Sequence, residues 1–387
     1  NTNDGCEVRH HALVEEVEVH SRRKLLHRTK VLQLNGRKIG PTMMMTTPIS
    51  DRFIKSCDDD FQEINTNPLQ LSTDKLAESD VLLGQSFAQA TYTSNMGLHW
   101  RFQISQSLFS DLWAGYYATT YVGFDSDRFT QVGRWADLAW GSFYGIAAPQ
   151  VKLVEDLAME GGNTIGAAMA KVIKVNGYSR MTDYWGPVPY SEFGNEQLTV
   201  PFDSQEAMYT SFFTELDAAS SALSAGGSSF GASDLIYGGD ASKWKKLTES
   251  LRLRLAMRIR FANPSLSKSE AEKAFNSGAL ITSNDDNAYI TVSGDNRNPL
   301  ETITDWGEFR MSATMEGILK GYEDPRMSVY FDPAAEGDQD GDGIPYEGLQ
   351  NGQTKVALGV SQNLSLIHIS EPTRLLSIAD AGVCLKK

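Results

Sequence analysis

The residues most able to do chemistry in this chain are aromatic. Trp113, Tyr116, Tyr117, Tyr121 and Phe124 fall within a short stretch between Ser110 and Asp125. Flat rings stack on the apolar C–H faces of sugars, and neighbouring polar groups satisfy sugar hydroxyls. Asp111, Asp125 and Arg128 are placed to supply those groups. The competing expectation is that aromatics at helical spacing pack a core. Glycine and threonine beside Tyr116, Tyr117 and Tyr121 favour a loop and so an accessible surface. Tyr184 and Trp185 form a second aromatic pair, but the Gly-Pro-Val-Pro that follows marks a structural corner.

Asp338, Asp340 and Asp342, with Gly343, have the oxygen spacing of a calcium loop. Leu349 stands where a bidentate glutamate is usual, and Pro345 interrupts the run, so a solvated acidic turn is the alternative. A structural calcium is the one cofactor expected, and none is required. Arg252, Arg254, Arg258 and Arg260 line one helical segment and read as its solvated flank.

The chemistry that is missing narrows the classes. The chain has 387 residues and a formal net charge of −14, which argues against nucleic acid and anionic lipid. The acidity lies in 57–363, whereas both ends carry a small basic excess. That middle part holds one histidine, His99, and one cysteine, Cys57, so it offers no His/Cys metal site and no disulfide framework. It contains no nucleophile elbow, HExxH, P-loop or dinucleotide fingerprint. A carboxylate-pair glycoside hydrolase is the enzyme alternative, although carboxylates this abundant can be paired anywhere.

The ends are read apart from the middle. Residues 364–374, LSLIHISEPTR, match the translation of a widely used transposase sequencing adapter. The tail 364–387 is therefore expected to be adapter-derived and to pack poorly. In the head, 1–56, Asp51, Arg52 and Lys55 interrupt the apolar stretch that a signal needs before Cys57, and Pro41 and Pro48 break it. A frameshifted or non-native head is expected.

The elements that must position these residues are helical. Apolar stripes at steps of three and four run through 80–117, 135–157 and 164–181. In 204–224, Tyr209, Phe212, Phe213, Leu216, Ala219 and Leu223 share one face, entered by a capping box of Asp203 and Glu206 and closed by Gly226-Gly227. Trp244, Leu247, Leu251, Leu255 and Ile259 predict a helix over 242–262, stopped by Asn263-Pro264. The best strand candidate is 287–292. A mainly α protein with long loops and few strands is expected.

Several motifs then fall in an order that resembles the SusD/RagB-type nutrient-binding lipoproteins: CDDDF at 57–61 with INTNP at 64–68, DYWGPVPY at 183–190, YGGDASKWKKL at 237–247 running into SLRLRLAMRI, NDDNA at 284–288, and DPRMSVYF at 324–331. The resemblance covers 57–363 and implies tetratricopeptide-like helix pairs packed on an irregular helical region, C-terminally truncated here. It implies lipidation at Cys57 and an outer-membrane position, lipid-anchored at the cell surface. It also implies capture of oligosaccharide or peptide for a SusC-like TonB-dependent transporter, without catalysis. The expected ligand-binding residues are Trp113, Tyr116, Tyr117, Tyr121, Asp125, Arg128 and Trp185.

Overall fold

A computed structural model describes residues 80–291, 297–353 and Ser365. The chain divides into two compact units, Asn1–Gln70 and Leu71–Lys387, and every described residue belongs to the second. Cys57 and the head lie outside the described residues.

The first core is built from helices. α1 (Asp80–Ser94) leads to a short α2 (His99–Phe102), which widens into a π-helix at Gln103–Asp111. α3 (Gly133–Ser142) runs through a π-turn into α4 (Ala148–Glu160). α5 (Thr164–Trp185), α6 (Gln205–Leu223), α7 (Ala241–Arg258) and α8 (Pro264–Asn276) follow. α5 is buried nearly all round, with Met169, Val172, Ile173, Val175 and Met181 sealed from solvent between α4 and α6. A helix without a polar face needs such a central position. Gly177 lets α5 approach the preceding segment, because a Cβ there would meet the Phe143 ring at 2.8 Å.

Capping explains the helix starts. The Asn163 side chain accepts from Gly166 N at 2.8 Å, and Asp240 accepts from Ser242 N and Lys243 N. Asn263 caps α8, with Pro264 at its first position, so the dipeptide expected to stop one helix starts the next. The capping box at α6 needs correction by one residue. Ser204 caps it, accepting from Ala207 N at 3.2 Å. Asp203 instead pairs with Val188 and accepts from the Tyr190 and Ser191 amides, fixing the corner after Gly186 (φ 72°).

A second core gathers Leu108, Leu112, Trp135, Ile303, Phe309, Met311, Leu319 and Phe331. It is enclosed by α9 (Pro299–Asp305), α10 (Ala313–Gly321), α11 (Met327–Tyr330) and a two-stranded antiparallel ribbon. β1 (Tyr117–Thr119) pairs with β2 (Phe309–Met311) in the register Tyr117↔Met311, Ala118↔Arg310, Thr119↔Phe309. The strand expected at 287–292 does not form over 287–290, which is irregular and follows a 3₁₀ turn at Asn284–Asp286; Thr291 alone takes part in a bridge. Alternation alone makes no strand where no partner offers a ladder. Ser365, the one described residue of the tail, is fully buried and exchanges hydrogen bonds with Met311 and Glu347, so the expectation of poor packing fails there.

The arginine stripe departs from its expected role at Arg252, whereas Arg254, Arg258 and Arg260 are exposed as expected. Arg252 is 1% exposed and binds Glu249, Glu270 and Asp217, while Arg258 pairs with Asp183 at 2.6 Å. Helical periodicity put Arg252 on the inner face, and the carboxylates facing it there supply the counter-charge a buried guanidinium requires.

Candidate ligand-binding site

After the π-helix the chain turns at Gly115 (φ 69°) into β1 and then loops through a 3₁₀ turn at Asp125–Arg128. Within 113–129 four large rings stay open to solvent: Trp113 (43% exposed), Tyr116 (51%), Tyr121 (53%) and Phe129 (61%). Three of them pack against other rings. Trp113 meets Phe129 edge-on at 5.6 Å. Tyr121 rests on Phe124 at 5.0 Å, and Phe124 stacks on the buried Phe309. Buried Asp127 ties the loop down, accepting from the Thr119 amide, the Asn351 side chain at 2.7 Å and the Gly352 amide at 2.6 Å. Four exposed rings on a loop held from below make this the candidate ligand surface.

The expected residues separate into two groups. Trp113, Tyr116 and Tyr121 are on the surface. Asp125 and Arg128 are exposed beside them and paired with each other, and Arg128 also donates to Val122 O at 2.9 Å. Such a surface pair is worth little in itself, so its hydrogen-bonding groups are free to turn to a ligand. Tyr117, by contrast, packs against the second core, and burial beside Asp111 holds its hydroxyl well above the usual phenol range. Trp185 is half-buried between Phe109 at 5.3 Å and Trp140 at 5.6 Å, so it belongs to the packing on the first core. Sequence reasoning missed Phe129, whose left-handed backbone (φ 55°) turns at a position that shows no glycine.

A cavity of about 230 Å³ opens behind Trp113, lined also by Phe109, Ser126, Thr130 and the buried Trp135. The Ser126 hydroxyl is buried and finds no protein partner. Asp111, named above as a hydroxyl acceptor, is itself only 5% exposed. Burial lifts its carboxyl to about 6, against the pull of a Gln106 hydrogen bond and the Arg180 charge. A larger cavity, about 570 Å³, lies apart at the helix ends, where Asp183 already binds Arg258 and the Tyr209 hydroxyl (3.0 Å).

The acidic loop does converge. One oxygen each from Asp338, Asp340 and Asp342 lies within 4.8 Å of the others, and Glu316, Asp340 and Glu347 form a second such group. Backbone amides of Gly341 and Gly343 pin Asp338 at 2.8 Å. Lys320 stands among them, 2.8 Å from Asp342 and 2.7 Å from Glu316.

Comparison with known proteins agrees with this architecture. Residues 63–386 match the model of the SusD-like family, described as SusD and RagB outer membrane lipoproteins. A chitin-binding SusD homologue from Flavobacterium johnsoniae superposes with a TM-score of 0.69 at 34% identity, over 78% of this chain and 64% of that one. A second chitin-binding protein gives 0.63 at 31% identity, over 74% and 63%. A SusD homologue from Bacteroides vulgatus gives 0.67 at 29%, over 76% and 63%. No curated protein matches. The fold and the motif order thus define a mainly helical SusD-type protein, and the chain belongs to the SusD-like family. It spans just under two thirds of the length of these solved structures. Among the described residues, no helix is long and apolar enough to cross a membrane.

Proposed function

We propose that this protein captures oligosaccharide at the cell surface without cleaving it and passes it to a SusC-like TonB-dependent transporter. The observation that carries the proposal is the exposed aromatic group Trp113, Tyr116, Tyr121 and Phe129 on a loop pinned from below. Of the segment's carboxylates, buried Asp127 is spent on loop amides, while Asp125 stands at the surface with Arg128, where both can turn to sugar hydroxyls. Two relatives are described as chitin-binding, which makes N-acetylglucosamine oligomers the first ligands to try. Calorimetry with chito-oligosaccharides should give saturable binding in the micromolar to millimolar range, roughly −4 to −8 kcal/mol. Chromatography after long incubation should return uncut ligand. Shorter products formed in proportion to protein concentration would establish the hydrolase alternative. Saturable heats with peptides alone would favour a RagB-like peptide carrier. Anchoring is read separately: with an export signal supplied, labelled fatty acid should enter the wild type and not Cys57→Ala.

A structural calcium on Asp338, Asp340 and Asp342 is proposed as well, supported by the convergence of oxygens on a loop its own amides hold in shape. Lys320 competes for the same oxygens, so binding is weak. Calcium at about ten times its dissociation constant should stabilise the fold by roughly 1.4 kcal/mol. That gain, read as a rise in melting temperature, should vanish in Asp340→Asn. An equal rise in the variant would place the ion elsewhere.

A further inference from the structure

A polar chain crosses from α5 to the aromatic loop, and neither the packing nor the ligand surface accounts for it. Gln106, on the π-helix, donates from Nε2 to Asp111 Oδ1 at 2.6 Å, and its Oε1 accepts from the Arg180 guanidinium on α5. Arg180 Nε donates to the Tyr184 hydroxyl at 3.3 Å, which in turn donates to Ser105 O at 3.1 Å. The amide of Gln106 therefore relays an ion pair between a buried carboxylate and an arginine two helices away. At its other end the chain reaches Asp111, the residue on whose main chain the turn of the ligand loop closes. The Asp111 carbonyl accepts the Tyr116 amide at 3.0 Å, closing the turn that presents Trp113 and Tyr116. Tyr116 O accepts from Ser312 N at 3.3 Å, and the Ser312 hydroxyl donates to Gly115 O, so the turn is held at both ends.

We propose that Asp111 is the positioning residue of the ligand surface and acts as a proton-operated latch: ionised, it holds the Trp113–Tyr116 turn through Gln106 and Arg180, and protonated it lets the turn loosen and the ligand leave. This rests on the function proposed above. A hydrogen bond to an ionised acceptor is about twice as strong as one to a neutral group. Losing the charge also removes the attraction of Arg180, so both bonds along the relay weaken together. The groups facing Asp111 are Gln106 and Ser110 on its own segment, Arg180 from α5, and Tyr117 from β1, whose hydroxyl stays protonated. Among these only the Asp111 carboxyl changes charge between pH 5 and 8, taking up its proton as the pH falls through about 6.

The test is chito-oligosaccharide affinity at steps from pH 5 to 8, alongside tryptophan fluorescence of the ligand-free protein over the same range. If the ligand lowers the Asp111 pKa by about one unit, wild-type affinity falls roughly fivefold between pH 7.5 and pH 5. Asp111→Asn should give a flat profile at the weaker value. Arg180→Gln should move the midpoint upward, a change that a merely structural arginine would not cause. The ligand-free fluorescence should show the same midpoint in the wild type, and lose it in Asp111→Asn and in Trp113→Phe. A flat wild-type profile in both measurements, or an unchanged midpoint in Asp111→Asn, overturns the latch. A fluorescence transition without sugar binding at any pH keeps the latch and removes the proposed ligand.

Discussion

Replacing Arg252 with alanine should lower the stability of the fold by about 3–5 kcal/mol, the largest single-site loss expected here. The guanidinium is 1% exposed and uses all three nitrogens: Nε to Glu249 at 3.0 Å, Nη1 to Glu270 at 2.6 Å and Nη2 to Asp217 at 2.6 Å. Glu249 and Glu270 are buried, so truncation leaves two carboxylates without the charge that made their burial tolerable. Asp217 is partly solvated and keeps Lys273 as a second partner, so it contributes little to the loss. Urea unfolding should show a lower midpoint with an unchanged slope. Converting the whole group to apolar residues, Arg252→Met with Glu249→Leu and Glu270→Leu, should recover most of the loss, because the penalty lies in the stranded charge. A cost under 1 kcal/mol for Arg252→Ala would mean that water reaches these carboxylates.

The second large effect is on binding. Paired Trp113→Ala and Tyr116→Ala should weaken oligosaccharide affinity about a hundredfold, close to 2.7 kcal/mol. Both rings are about half exposed, so their removal opens no cavity in the second core, and the far-ultraviolet circular dichroism should match the wild type. Tyr117→Ala provides the contrast. Its ring packs against the second core and its strand pairs with β2, so this change should cost stability and affect binding only through the fold. Full affinity in the Trp113/Tyr116 double variant would remove the aromatic loop as the ligand surface.

The sequence was most informative where one element carries its own signals. The stripes of α6 and α7 and the caps around Pro264 are local patterns, and those helices form close to where periodicity puts them. It was least informative where the answer depends on a distant partner. Tyr117, Ala118 and Thr119 become a strand only because Phe309–Met311 lies beside them, whereas 287–290 stays irregular. The same limit divided the aromatic cluster. Tyr116 and Tyr117 are neighbours of one residue type, yet the β1–β2 pairing turns one toward the core and leaves the other in solvent. Arg252 read as a surface charge because Asp217 and Glu270 come from other helices. Convergence of Asp338, Asp340 and Asp342, by contrast, was legible, since ligand spacing within one turn is a local property.

A crystal structure of the protein with a chito-oligosaccharide bound tests the central claim most directly. Sugar rings stacked on Trp113, with Tyr116, Tyr121 or Phe129 beside the next unit and Asp125 or Arg128 turned to its hydroxyls, are the predicted result. Density for the sugar in the larger cavity between Asp183 and Arg258, with the aromatic loop bare, would contradict it.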